Sequence, residues 1–299
     1  MTDHLPIRVW AIVGILLSVG LSTLATEAAS ESATSAGDQQ AAQAPNPTDK
    51  MLASTFREMP VPLRLNPEQL AEDDPIGFFE MILARYERHV RDYTCLFTKQ
   101  ELVNGRMTSR QVMKAYFRED PYSVRLEWIK NRDRASRVLY VRNAWIDKGQ
   151  QMAVVEPGPI ARLFISHVMR PIHGADAMRT SRRTIDQFGF RNNILLILKY
   201  CAPARERGLL EFTYQGVRVV DGRSTLLFER RLPYTGERCE WPDRVLEVYV
   251  DRQLLVPTLC IAYADDAKRQ LLGHYEYSDI KMNANLSESV FTKKGMGVE

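Results

Sequence analysis

The sequence predicts an α+β fold built on one antiparallel sheet with helices packed on one face. Three observations carry that expectation. An amphipathic helical segment beginning near residue 75 precedes a run of period-two segments, and strands return beyond Gly208. Two apolar segments with helical spacing, 160–169 and 190–200, separate the two strand runs. The dipeptides Asn104-Gly105 and Asp221-Gly222 mark tight hairpin turns inside them.

Composition sets the frame for these elements. At 299 residues, 45% hydrophobic and 26% charged, the chain is neither collagen-like nor wholly disordered. Its 40 Lys and Arg against 37 Asp and Glu leave a formal charge of +3, too balanced for a dedicated nucleic-acid binder. No nucleic-acid partner is expected.

The N-terminus reads as a targeting segment. Arg8 precedes an apolar run from Val9 to Ala25, and small residues follow at Ala28 and Ala29, the three parts of a secretory signal. Gly14, Ser18, Gly20, Ser22 and Thr23 dilute the run, whereas a bilayer span takes about 20 predominantly apolar residues. Cleavage at Ala25 or Ala28 is expected, with a retained N-terminal anchor as the alternative. No cysteine lies near the cleavage zone, which argues against a lipid-modified N-terminal cysteine. The rest of the chain is expected outside the cytoplasm, in the periplasm or cell envelope. Residues 1–29 are then signal or anchor, and 30–73 a disordered tether rich in Ala, Ser, Gln and Pro. Residues 74–299 form the folded domain, long enough for one substantial core.

In that domain, Ile76, Phe79, Leu83, Tyr86 and Val90 give 75–90 its helical stripe, with Asp73 or Asp74 as cap and Pro75 in the first turn. Segments 93–103 and 107–118 are strand-like and flank Asn104-Gly105. Glu119-Asp120-Pro121 turns the chain, after which Val124, Leu126 and Trp128 alternate with polar neighbours in a half-buried antiparallel strand. Segments 136–141 and 144–155 continue the meander until Pro157-Gly158-Pro159 stops it. Helices are expected over 160–169 and 190–200. Strands follow at 209–214, 217–220, 224–231, 244–250, 258–263 and 271–281.

Familiar catalytic patterns are missing. There is no G-x-S-x-G elbow, H-E-x-x-H, phosphate-binding Gly-Lys loop or G-x-G-x-x-G after a strand. His167 and His173 flank Pro171 with no carboxylate at ligand spacing, so no metal is expected. Ser166 and His167 are adjacent, and neighbours on a helix do not face each other. Glu80 and Glu87 sit beside Arg85 and Arg88, as on a solvated helix face. No cofactor is expected, and the chain is not read as an enzyme. Cys95 and Cys260 fall in expected strands, Cys201 ends a helix and Cys239 sits in a loop; the disulfide pairing stays open, and without C-x-x-C a redox role is not expected. Two basic stretches remain, Lys130, Arg132, Arg134 and Arg137 around Asp133, and Arg179, Arg182 and Arg183 between Asp176 and Asp186. Each is a solvated surface or a contact for anionic lipid headgroups or another acidic envelope polymer.

Several short pieces together suggest a family. They include Asp92-Tyr93-Thr94-Cys95, Lys99-Gln100-Glu101, Phe117-Arg118 before Pro121-Tyr122-Ser123-Val124, and Val138-Leu139-Tyr140-Val141. FGFRN (188–192), ARERG (204–208), VYVD (248–251), Leu255-Val256-Pro257, Ala262-Tyr263 and LLGHYEYSDIKMN (271–283) complete the set, closing with Leu286 and Phe291. As a set over roughly 75–291, they resemble domain-of-unknown-function family 1571 (DUF1571) of exported bacterial proteins. That family is similar to the LolA-like lipoprotein carriers and their mycobacterial-type lipid-binding relatives. The resemblance implies a half β-barrel, a curved antiparallel sheet whose apolar concave face is lidded by helices. It carries no catalytic residues to transfer, and no stretch maps onto a carrier's partner-docking site.

Alternation then places Val124, Leu126, Trp128, Leu226, Phe228, Leu246 and Val248 on the inner face, where each is either plain core or, as the resemblance implies, cavity lining for an acyl chain, lipid or lipoprotein. The helices 160–169 and 190–200 would close it. Arg179, Arg182 and Arg183, between them, would form a basic rim whose planar forks bind a phosphate or carboxylate headgroup. The function expected is therefore non-catalytic binding in the envelope. A structural or protein-interaction module without ligand is the alternative, and an enzyme of unrecognised type the third.

Overall fold

Two capped helices open the part of the chain that the structure, a computed structural model, describes: residues 66–132 and 134–298. The expected leader, and the tether up to residue 65, lie outside the described residues. Helix α1 (Pro67–Asp73) starts where Asn66 Oδ1 accepts from the Glu68 amide at 3.1 Å. Helix α2 (Pro75–His89) starts where Asp74 Oδ1 accepts from the Gly77 amide at 3.0 Å. Both carry proline in the first turn, where its missing N–H removes no intrahelical bond. α1 corrects the end of the expected tether. Pro67 opens a helix rather than breaking one, Ala71 is buried, and Leu70 packs against the core. α2 buries Phe78, Phe79, Ile82, Leu83 and Tyr86 along one stripe, as its periodicity predicts.

The strands follow in two runs. The first comprises β1 (Asp92–Val103), β2 (Arg106–Met107), β3 (Gln111–Arg118), β4 (Ser123–Lys130), β5 (Ala135–Val141), β6 (Ile146–Asp147) and β7 (Gln150–Pro157). Helix α3 (Pro159–Arg162), strand β8 (Val168–Pro171), helix α4 (Ala175–Thr180) and the long helix α5 (Phe190–Glu206) form the middle. The second run is β9 (Glu211–Val220), β10 (Arg223–Arg231), β11 (Val245–Asp251), β12 (Pro257–Tyr263) and β13 (Leu271–Met282), after which α6 (Lys293–Met296) ends the described chain. All pairings are antiparallel, in the order β6-β7-β5-β4-β3-β1-β13-β12-β11-β10-β9, with β2 on β1 and β8 on β7. The sheet is open, and the fold is the expected α+β class with one curved antiparallel sheet. Asn104-Gly105 and Asp221-Gly222 both adopt positive φ between directly paired strands, the conformation that matches strand twist in a two-residue turn.

Six expected elements differ. The strand 107–118 is broken at 108–110, and 144–155 is a hairpin, β6 and β7, turned at Lys148-Gly149. The strands 209–214 and 217–220 are one strand, β9, interrupted only by a bulge. The helix expected over 160–169 is a single turn, α3, followed by strand. Val168 to Pro171 instead extend the sheet beside β7, with Val154 opposite Met169. Edge pairing satisfies those backbone groups, and the apolar side chains at 160–165 find no surface to bury against. The second expected helix runs on to Glu206, past Pro203.

The two sheet faces carry different layers. On the inner face lie α2 and α5, and their aromatic side chains join those of β1, β3, β10 and β13 in the main core. On the outer face of β5 and β7, Leu139 and Val154 pack against the C-terminal Phe291, Met296 and Val298. Arg125 fastens that segment by donating Nη1 to the Val290 and Gly295 carbonyls at 3.1 and 3.0 Å.

Candidate functional site

Register places the seven expected lining residues on the inner face, but at two separate places. Val124, Leu126 and Trp128 lie on β4, whereas Leu226, Phe228, Leu246 and Val248 lie on β10 and β11, with β3, β1, β13 and β12 between them. Phe228 and Val248 are direct cross-strand partners. Five of the seven are core: Val124, Leu226, Phe228, Leu246 and Val248 are buried. Phe228 stacks on Phe78 at 4.9 Å between ring centroids and meets Phe79 edge-on at 5.0 Å. Helix α2 thus fills the space that a ligand would need at this end of the sheet.

The β4 end differs. Leu126 is only half-buried, and pairing aligns it across the sheet with Val138, then Val155, then Val168, all half-buried on the same face. This apolar row spans about 14 Å, three inter-strand steps of about 4.8 Å. Trp128, one residue pair further along β4, is also half-buried, and its indole N–H reaches Gln111 Oε1 at 3.3 Å. Alternation in β4 pointed to two members of this group; Val168 was hidden because its segment read as helix.

Two clefts lie elsewhere. One, of about 410 Å³, is lined by Tyr86, Arg91, Arg118, Glu119 and Arg191 among others; burial pushes the Glu119 carboxyl above its ordinary range. The other, of about 210 Å³, includes Asp221, Arg223, Glu276 and Asp279. Neither contains any of the seven residues. Among the described residues no group of three His, Cys, Asp or Glu is placed to hold a metal ion. Cys95, Cys201, Cys239 and Cys260 are all free thiols.

The three arginines do not form one fork. Arg179, on α4, is exposed and paired with Asp176. Arg182 donates Nη2 to the Pro242 carbonyl at 3.2 Å, and the Arg183 guanidinium lies 4.9 Å over the Tyr275 ring. Their segment is pinned by a polar cluster that the sequence does not announce. Buried Glu101 accepts from Tyr275 Oη at 2.8 Å and the Arg182 amide at 3.3 Å through one oxygen, and from Ser181 Oγ at 2.9 Å and Lys99 Nζ at 3.1 Å through the other. Burial alone would raise the Glu101 pKa, but Lys99 and these hydrogen bonds outweigh it and hold the carboxyl below its ordinary range. Arg182 and Arg183 are half-buried, and Arg179 is the exposed member of the three.

The profile of a family described as "Protein of unknown function (DUF1571)" matches residues 90–295. No curated protein matches the sequence. Among solved structures, MucB aligns over 73% of this chain and 62% of its own, less than two thirds of its length, at 16% identity and TM-score 0.43. A DUF1329 family protein from Desulfovibrio piger aligns over 76% and 100%, at 12% identity and TM-score 0.37. Mycobacterium tuberculosis lipoprotein LppX aligns over 72% and 99%, at 10% identity and TM-score 0.38. No helix among the described residues is long and apolar enough to cross a membrane.

Proposed function

We propose that this chain, which belongs to the DUF1571 family of proteins of unknown function, is a non-catalytic cell-envelope protein that binds an acyl chain, of a lipid or lipoprotein, on the inner face of its sheet. The observation that carries this reading is the half-buried row Leu126, Val138, Val155 and Val168 beside Trp128. Aliphatic side chains left partly open on a concave face gain roughly 25 cal/mol for each Å² that a ligand removes from water. Phe228 and Val248 support the floor of the fold and do not touch the ligand. Arg179, on the helix that follows β8, supplies the headgroup contact.

A second reading, an envelope module for structure or protein interaction without a ligand, is favoured by the packing of α2 on Phe228. Native mass spectrometry of protein purified from its own envelope separates the two. Co-purifying lipid that is lost in Trp128→Glu supports the carrier reading. A lipid-free wild-type chain supports the module.

A further inference from the structure

The segment that fails to form the expected lid helix is exposed rather than folded inward. Ile160 and Leu163 are 80% solvent-exposed and Phe164 is 84% exposed, with Ile165 beside them at 42%. Single exposed apolar side chains are ordinary on a protein surface, whereas a contiguous group marks an interaction site.

Its neighbours define the kind of site. The Gly158 amide donates to the Arg134 carbonyl at 2.9 Å, so the 159–165 turn rises beside the β4–β5 turn. Lys130, Arg132 and Arg134 are exposed on that turn, next to the half-exposed Ile129. Asn131 Nδ2 reaches the Arg110 carbonyl at 2.7 Å, which ties the turn to the start of β3. Glu156, at the end of β7, is buried and already shared by Arg137 and Arg162. An apolar crest with a basic flank is complementary to an anionic bilayer, where apolar side chains enter the acyl boundary and Lys and Arg meet phosphates.

We infer that this end of the sheet docks on the surface of an anionic lipid bilayer. Leu163 and Phe164 insert, and Lys130, Arg132 and Arg134 contact headgroups. This surface is separate from the inner-face row, and docking stands whether or not the row carries an acyl chain.

The test places a reporter at the crest. Phe164→Trp is made in the full chain, and its emission is read as the difference from the unsubstituted protein. The probes are vesicles of phosphatidylcholine alone and of phosphatidylcholine with phosphatidylglycerol. Because the signal comes from position 164, it does not depend on how other segments meet the membrane. Mixed vesicles should shift the difference emission to shorter wavelength, and acyl-brominated phosphatidylglycerol should quench it. In the Lys130→Gln, Arg132→Gln, Arg134→Gln background, half of the signal should need on the order of a hundredfold more lipid at low salt, about fivefold per charge. All four positions are exposed, and an unchanged melting curve verifies the fold. An unshifted signal on mixed vesicles overturns the inference. So does a shift that depends on protein concentration without vesicles, which would assign the crest to a second copy of the chain.

Discussion

Replacing Phe228 by alanine distinguishes a filled inner face from an open one. Phe228 is fully buried, stacked on Phe78, edge-on to Phe79, and within 6.0 Å of the Phe212 and Tyr214 rings. Truncation removes the ring's burial and leaves a cavity that helix α2 and two sheet strands cannot readily close. Such a change costs about 3–5 kcal/mol. For a domain of this size each kcal/mol moves the melting midpoint by roughly 2–4 °C, so a drop of about 6–20 °C is expected. Trp128→Ala, at a half-buried position, should cost only about 1–2 kcal/mol. Equilibrium urea unfolding followed by far-ultraviolet circular dichroism measures both, and lipid retention is read on the same samples. A cost below about 1 kcal/mol for Phe228→Ala, together with loss of bound lipid, would refute the packing argument. Phe228 would then line an open cavity, as the family resemblance implied.

Three further outcomes follow from the same interactions. Arg230 is buried, donating to both oxygens of Asp243 at 3.0 Å and to the Ile197 carbonyl at 3.1 Å. Arg230→Met should destabilise by about 3–5 kcal/mol, and Arg230→Met with Asp243→Leu by less, because the double variant leaves no uncompensated buried charge; equal urea midpoints would contradict this. Glu101 has a folded pKa lowered from 4.5, so its contribution is complete above that value and is lost as pH falls through the lower folded pKa. Wild-type stability should therefore fall more steeply than that of Glu101→Gln below pH 4.5, and parallel acid profiles would remove the cluster's role. Burial pushes the Cys260 thiol up to about 11 and the Cys95 thiol higher, whereas Cys239 is half-buried. A thiol-reactive probe should then label Cys239 in the native chain and the other three only after unfolding; labelling of Cys95 or Cys260 at a similar rate would contradict the packing.

What the sequence by itself determined is what depends on neighbours along the chain. Asp74, Pro75 and the stripe from Ile76 to Tyr86 specify α2 because cap, first turn and apolar face are separated by single turns. Asn104-Gly105 and Asp221-Gly222 specify hairpins because positive φ is cheap for these residues. Alternation in β4 assigned Val124, Leu126 and Trp128 to one face, since a strand's side-chain period is two whatever lies across from it. Tertiary structure decided the rest. An apolar side chain on the inner face carries no mark of whether a helix or a ligand covers it, and the position of α2 separated Phe228 from Leu126. The residues 160–171 have helical periodicity, yet β7 offered an unpaired edge to Val168–Pro171, and that long-range pairing outweighed local preference. Glu101, Ser181 and Tyr275 lie far apart in the chain, so only the folded sheet and its covering loop bring their polar atoms within hydrogen-bond reach.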